Sequence, residues 1–277
     1  RKKSNPQIIF HLAAQSLVRN SYVNPRETFS TNIIGTLNIL ECIKNLQNIK
    51  SSIIVTTDKV YDSSKNKIFR ESDSLMGLDP YSASKVCAEN IFSSYTKSFF
   101  KNKKKQKLGT VRSGNVIGGG DYSEDRLIPD IYRFAKKKKK ILLRYPNAIR
   151  PWQHVLDPLS GYLILAEKLY HNQLDKHESN WNFAPNLNSC KSVKYISTKF
   201  AKDLKLKINV AKSKKEHIKP ETNFLRLSNF KAKKFLKWRP KWNLNISIKK
   251  ILEWHKMLNF KNARVVCEDQ IKEFLRV

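Results

Sequence analysis

Residues 52–59, SIIVTTDK, decide the fold. Ile53, Ile54 and Val55 form an unbroken β-branched run, Thr56 and Thr57 extend it, and Asp58-Lys59 end it. A short apolar run of this kind reads as a strand buried on both faces, the habit of a parallel sheet covered by helices. Downstream, Val86, Ile91 and Tyr95 share one face of a helix over Tyr81–Phe99, and Leu108–Arg112 reads as another strand. Upstream, Ile8–Leu12, bounded by Asn5-Pro6, reads as a strand buried on both faces. After Pro25 the positions Phe29, Ile33, Leu37, Leu40 and Ile43 recur at helical spacing to about Asn45. The order is β-α-β-α-β, so the expected fold is α/β, a parallel sheet with helices on both faces.

Beyond residue 120 the pattern shortens. Helices are expected at Ile128–Lys139, Pro158–Tyr170, Val193–Leu204, Ser228–Leu236, Ile246–Leu258 and Val266–Leu275, with a strand at Gln153–Leu156. The expected division is a sheet domain over 1–125, to which 150–172 returns, and a smaller α/β domain over most of 126–277. No internal repeat is visible.

Composition narrows the function classes. Lys and Arg number 54 against 23 Asp and Glu, a net charge of +31, with 40% apolar and 10% aromatic residues. That is globular composition and not that of a disordered tail. Cys42, Cys87, Cys190 and Cys267 are too widely spaced for a zinc or redox motif, so no metal is expected and the thiols read as reduced and cytoplasmic. Apolar stretches such as Leu163–Ala166 fall far short of the roughly 20 residues that cross a bilayer, which excludes a membrane span. Lysine runs at 103–105 and 136–140, close to Phe99, Phe100, Tyr132 and Phe134, raise a nucleic-acid patch. Against it, 41 lysines stand beside 13 arginines and are spread over many segments, as solvated faces are. A positive field also suits an anionic small substrate.

A dinucleotide fold needs a glycine-rich turn after its first strand. The eight glycines cluster only at Gly118-Gly119-Gly120, after a late strand, and the chain opens on what reads as a mid-sheet strand. We therefore expect a first βαβ part upstream of residue 1, and an exposed sheet edge without it.

Tyr81-Ser82-Ala83-Ser84-Lys85 places a phenol and an ammonium one helical turn apart, where the cation favours phenolate. Spacing alone selects nothing: chance gives about 1.5 such pairs in this composition, and Tyr61/Lys65, Tyr132/Lys136 and Tyr195/Lys199 share it. Only Tyr81 follows Asp79-Pro80, a helix-start signal, and is spaced by small residues that admit a ligand. In parallel sheets ligands bind beyond the carboxyl ends of strands, so Thr57, Asp58 and Lys59 are expected in the same crevice as Tyr81.

These segments resemble the extended short-chain dehydrogenase/reductase family. The resemblance rests on HLAAQ at 11–15, Glu27-Thr28-Phe29 with Thr31-Asn32 and Gly35-Thr36, Thr56–Lys59, Pro80–Lys85 and RSGNVIGGGD at 112–121. Asp58-Lys59, where sister dehydratases carry Asp-Glu, narrows it to the nucleotide-sugar 4,6-dehydratases, as do EDRLIPD at 124–130, RPWQHV at 150–155 and WRPKW at 238–242. The resemblance implies a Rossmann-like doubly wound sheet lacking its first part, a C-terminal substrate domain, a tightly held NAD, and CDP-glucose as substrate. It implies Tyr81 as base at the sugar 4-hydroxyl, Thr57 on the same oxygen, and Lys85 tuning Tyr81 and holding the nicotinamide ribose. Asp58 and Lys59 become acid and base for water loss across C5 and C6, in an order the motif leaves open. His11, Leu12, Ala13, Ala14, Asn32 and Thr56 join Tyr81 and Lys85 as cofactor contacts; Gln15, Asn115, Arg126 and Arg150 become substrate contacts. Helices near Phe29–Ile43 and Tyr81–Phe99 would pair as a four-helix homodimer. A 4-epimerase, which keeps Tyr81 and Lys85 without needing Asp58 and Lys59, is the rival within the fold; a non-catalytic fragment or basic nucleic-acid binder is the rival outside it.

Overall fold

The computed structural model describes residues 4–100, 106–174, 179–210 and 224–276. Among them the strands are β1 (Ile8–His11), β2 (Ser51–Val55), β3 (Ile68–Phe69), β4 (Lys107–Ser113), β5 (Asn115–Ile117), β6 (Ile141–Leu143), β7 (Ile149–His154), β8 (Asn180–Phe183), β9 (Cys190–Ser192), β10 (Ile208–Val210) and β11 (Arg226–Leu227). The α-helices are α1 (Val18–Val23), α2 (Pro25–Phe29), α3 (Gly35–Lys44), α4 (Pro80–Tyr95), α5 (Leu127–Lys136), α6 (Leu156–Tyr170), α7 (Val193–Asp203), α8 (Leu244–Met257) and α9 (Ala263–Arg276). The helix expected over 25–45 is continuous in space but passes through a π-helical turn at Ser30–Ile34 between α2 and α3.

The chain divides into two units, each assembled from separate stretches. The first comprises 1–113, 159–183 and 227–239; the second comprises 114–158, 184–226 and 240–277.

In the first unit four parallel strands lie in the order β1-β2-β4-β8. Strand alternation sends neighbouring residues to opposite faces, and two cores follow. Ile53 and Val111 pack with Tyr162, Leu165, Ala166 and Leu169 of α6 and with Trp181, Phe183 and Trp238. Ile54 and Leu108 pack on the other face with Leu40 and Ile43 of α3 and Phe92 of α4. This is the two-faced α/β sheet expected from the apolar runs. A Cβ at Gly161 would overlap the Phe183 ring, so only glycine lets α6 lie this close to the sheet.

β1 departs from its reading. Ile8 is 39% exposed and Leu12 51%, with Ile9 and Phe10 half-buried. β1 pairs with β2 on one side and with no strand on the other among the described residues, so its side chains have half the cover that the central strands receive.

The second unit builds its core around a three-stranded sheet, β5-β7-β9, with β5 parallel and β9 antiparallel to β7. Ile117, Ile128, Ile131, Trp152, Ile196, Phe200, Ile248 and Ile251 form that core with α5, α7 and α8. The glycine cluster has a packing role here: a Cβ at Gly119 would overlap the Trp254 indole, and Gly120 adopts φ +79°. Tyr132 and Phe134 pack against this same core, while Lys136–Lys140 are exposed. The aromatic residues beside that lysine run therefore face inward, and its charges are a solvated face. Residues 103–105 of the other run lie outside the described residues. No helix among the described residues is long and apolar enough to cross a membrane.

Candidate active site

β2 ends at Val55, and the chain leaves the sheet through Thr56 and Thr57 into a single 3₁₀ turn, Asp58–Val60. Thr57 caps that turn, its hydroxyl accepting from Lys59 N at 3.4 Å and donating to Asp58 Oδ1 at 3.2 Å. Asp58 is 1% exposed. Lys59 Nζ stands 3.6 Å from Asp58 Oδ1, and Asp58 Oδ2 is buried with no hydrogen-bond partner among the described residues. A buried carboxylate oxygen left in this state costs free energy, which makes Asp58 an expensive group for this turn to hold.

α4 brings the phenol and ammonium to the same sheet end. Asp79 caps it, accepting from Ser82 N at 3.0 Å, and Pro80 occupies the first turn, where its missing N–H is harmless. Tyr81 N donates to Ser21 Oγ at 3.1 Å. Lys85 Nζ reaches under the helix to Val55 O at 3.1 Å. Burial pushes Lys85 down to about 8, partly opposed by the Glu89 carboxylate. At neutral pH it remains mostly an ammonium, within reach of titration. Tyr162 on α6 joins from the other side: burial raises its phenol to about 12, its hydroxyl lies 2.7 Å from Ser113 Oγ, and it feels the charges of both Asp58 and Tyr81. α4 packs against the Asp58–Val60 turn, so Tyr81 and Asp58 belong to the same end of the sheet.

The remaining predicted residues of this unit divide by what their side chains touch. His11 closes β1 almost without exposure, and burial, then the Lys85 charge, lower its pKa, keeping it neutral. Leu12 and Ala13 emerge exposed after it, and Ala14 is half-buried. Asn32 is a fastener: Nδ2 donates to Gln15 O at 3.0 Å and to Ser84 Oγ at 2.8 Å, and Oδ1 accepts from Gln15 N at 2.9 Å. It thereby ties the loop after β1 to α4 at Ser84, the residue before Lys85. Gln15 completes that loop, with Nε2 donating to Thr28 Oγ1 at 2.7 Å and Oε1 accepting from Leu17 N at 2.5 Å. Thr56 turns inward, its hydroxyl donating to Glu89 Oε1 at 2.5 Å.

Behind the site lies a network that sequence reasoning did not single out. Arg112 forks onto Glu89, with Nε to Oε1 at 2.7 Å and Nη2 to Oε2 at 2.9 Å. Its Nη1 donates to Tyr61 Oη at 2.8 Å and to Glu71 O at 3.2 Å; Tyr61 donates to Asn182 Oδ1 at 2.8 Å, and Asn182 N to Glu71 Oε1 at 2.9 Å. Burial works against the guanidinium's charge, but Glu89 and Tyr61 more than offset it. The sequence carries little signal of it: Glu89 sits in a helix rich in serine and alanine, one turn after Lys85, and Arg112 near the end of a strand.

Asn115, Arg126 and Arg150 belong to the second unit. Asn115 is the register partner of Trp152, and Arg150 precedes Trp152 by two, so all three share a face of that sheet. Arg150 is 3% exposed, and the Oδ1 of Asn115 is buried without a partner among the described residues. Arg126 precedes α5 and pairs with Asp121 at 3.3 Å. A separate groove of about 1210 Å³ in this unit, bordered by Tyr132, His255, Lys136 and Lys202, contains none of the predicted site residues.

Residues 2–251 match the GDP-mannose 4,6 dehydratase family. The chain is 42% identical over 260 residues to the CDP-glucose 4,6-dehydratase of Salmonella typhimurium, an alignment covering 91% of this chain and 71% of that protein. Among solved structures it is similar to dTDP-glucose 4,6-dehydratase from Bacillus anthracis in complex with NAD, at TM-score 0.75 and 25% identity, covering 92% of this chain and 74% of that one. The fold is also that of UDP-glucuronic acid 4-epimerase from Bacillus cereus, at TM-score 0.77 and 20% identity, covering 91% and 76% of the two chains.

Proposed function

The chain belongs to the GDP-mannose 4,6 dehydratase family, and from that premise we propose that it removes water from a nucleotide-activated hexose, converting CDP-glucose to CDP-4-keto-6-deoxyglucose. The carrying observation is Asp58. It is buried, has Lys59 Nζ 3.6 Å from its Oδ1, keeps Oδ2 unpartnered among the described residues, and stands in the turn against which α4, the helix of Tyr81, packs. A 4-epimerase has no use for such an acid and base.

The residues present fit the nicotinamide end of NAD. Lys85 is an ammonium with donors beyond its one bond to Val55 O, His11 is neutral beside it, and Leu12-Ala13 expose backbone past β1. Lys85, Tyr81 and this loop would hold it. When bound, NAD supplies the redox chemistry, storing two electrons between the first and last steps.

The side chains then divide the proton work. Tyr81, kept towards phenolate by the Lys85 cation, takes the proton of the sugar 4-hydroxyl, and Thr57 hydrogen-bonds that oxygen. The 4-ketone acidifies C5–H. Asp58 and Lys59 share one proton between them: with it on Asp58, Lys59 is a free amine that can take the C5 proton while Asp58 gives its own to the departing 6-hydroxyl. Both end charged; Lys59 returns its proton to C5 as C6 is reduced, and the proton that Tyr81 took from the 4-hydroxyl passes by way of solvent to Asp58, so that all three groups are reset. Arg150, Asn115 and Arg126 are assigned to the substrate's pyrophosphate, where charge-assisted forks suit phosphate oxygens. A homodimer through the helices near 29–43 and 81–99 is part of the same reading, supported by exposed Ile34 and Phe99. The reaction is assigned to the cytoplasm.

The test incubates the chain, and a version extended upstream in its reading frame, with NAD and CDP-glucose, and follows loss of one water by mass spectrometry. Loss with either chain is the expected result. Loss from dTDP-, UDP- or GDP-sugars alone would replace the substrate; no loss from any of them would overturn the dehydratase.

A further inference from the structure

Glu89 follows Lys85 by one helical turn, as Lys85 follows Tyr81, so the three line one face of α4. Its carboxylate is gripped from two strands. Thr56, just past β2, donates to Oε1 at 2.5 Å. From β4, Thr110 donates to Oε2 at 3.1 Å and the Arg112 fork closes on both oxygens. Glu89 is 3% exposed and Arg112 1%.

We propose that Glu89, clamped by Arg112, is a positioning residue that fixes the Tyr81–Lys85 face of α4 against the ends of β2 and β4 and supplies the negative charge that keeps Lys85 an ammonium. The geometry leaves little else for that task. Lys85 Nζ has one hydrogen-bond partner among the described residues, the neutral Val55 carbonyl of β2. From β1 it faces His11, which burial and Lys85 itself hold neutral. On β4, Arg112 is a cation committed to Glu89. Asp58, in the turn after β2, is paired with Lys59. Among the described residues, Glu89 is the one anion that opposes the effect of burial on Lys85. Arg112 in turn fixes the plane of the Glu89 carboxylate, since a guanidinium fork accepts one carboxylate orientation.

The inference rests on the Tyr81–Lys85 pair proposed above, but its test needs neither substrate nor NAD. The intact chain is labelled with acetic anhydride across a pH series, and the Lys85 peptide is quantified by mass spectrometry to give the midpoint of its amine titration. The native chain should titrate at Lys85 near the value of about 8 set by burial. Glu89→Gln should lower the midpoint by about one pH unit or more, because an anion is lost and Arg112 is left as an uncompensated cation. Glu89→Asp, which keeps the charge, should move it back towards native. If the lone Arg112 prevents Glu89→Gln from folding, the double variant Glu89→Gln/Arg112→Met removes both charges and should still titrate below native. An unchanged or raised midpoint in a variant with native circular dichroism overturns the proposal. So does failure of both variants to fold, which would make the pair structural only. The water-loss assay reports separately on the dehydratase reading.

Discussion

Glu89 and Asp58 are carboxylates of one unit, 3% and 1% exposed, and they are furnished in opposite ways. Both Glu89 oxygens are filled, by two hydroxyls and a guanidinium fork. Asp58 has one oxygen towards Thr57 and Lys59 and one with no partner among the described residues. Burial is the same; satisfaction is not. A carboxylate whose partners all come from the protein belongs to the scaffold; on the reading proposed above, the one with an oxygen left over is the one that acts on substrate. The same division separates Arg112, locked in its fork, from Lys85, which spends one hydrogen bond on a carbonyl and keeps its remaining donors.

The sharpest way to break this comparison is to exchange the expected losses. Asp58→Asn should lower the rate of water loss by about 10²- to 10⁴-fold, the range for a lost acid–base group, while leaving the melting temperature unchanged or raised. Tyr81→Phe should fall by a similar factor, and at an earlier step: Asp58→Asn should still oxidise C4, so that enzyme-bound reduced cofactor absorbance accumulates, and Tyr81→Phe should not. Arg112→Met alone should do the reverse of Asp58→Asn, costing roughly 3–5 kcal/mol of stability by stranding Glu89, measurable by urea denaturation. An Asp58→Asn chain that unfolds, or an Arg112→Met chain that does not weaken, would erase the distinction.

A milder effect is expected at Asn32. Its amide joins the loop after β1 to α4 through three hydrogen bonds, so Asn32→Ala leaves buried backbone groups of Gln15 and the hydroxyl of Ser84 short of partners. About 1–3 kcal/mol of stability should be lost, with protection of the Gln15 amide against hydrogen exchange falling first. A role confined to cofactor contact would leave exchange in the absence of NAD unchanged.

The division between scaffold and waiting groups also marks what the sequence could reveal. Ile53, Ile54 and Val55 announce a central strand because both neighbours of β2 cover it, and the same rule misreads Ile8–Phe10, whose pattern is similar but whose outer edge has no partner strand among the described residues. A run of apolar residues records the tendency to be buried, not the number of partners present. Tyr81, Lys85, Asp58 and Lys59 were visible because each pair is local, four residues or one residue apart. Arg112, Tyr61, Glu71 and Asn182 were not, because their hydrogen bonds span 41 to 121 positions and no local pattern links them. Strands of two or three residues, such as β3, β5 and β9, carry too few positions to show a period.

A third buried carboxylate gives the finest test, because it lies between the two extremes. Asp157 in the second unit accepts from Lys241 N at 2.7 Å and from Trp242 N, so it is furnished by backbone N–H groups instead of a guanidinium. These bonds lower its pKa, but burial outweighs them and the carboxyl is pushed up to about 6. A folded-state pKa above the unfolded value of 3.8 means that the native state binds the proton more tightly. Stability from this group is therefore complete below pH 3.8 and is lost as pH rises towards about 6. Asn at 157 keeps an acceptor for the two N–H groups and does not titrate. The stability difference between native and Asp157→Asn chains should thus shift by about 1–3 kcal/mol in favour of the variant between these limits and stay flat above them, as read from denaturation curves at stepped pH. Parallel curves would mean that backbone N–H groups satisfy a buried carboxylate as fully as the Arg112 fork satisfies Glu89, and the ranking of the three sites would collapse.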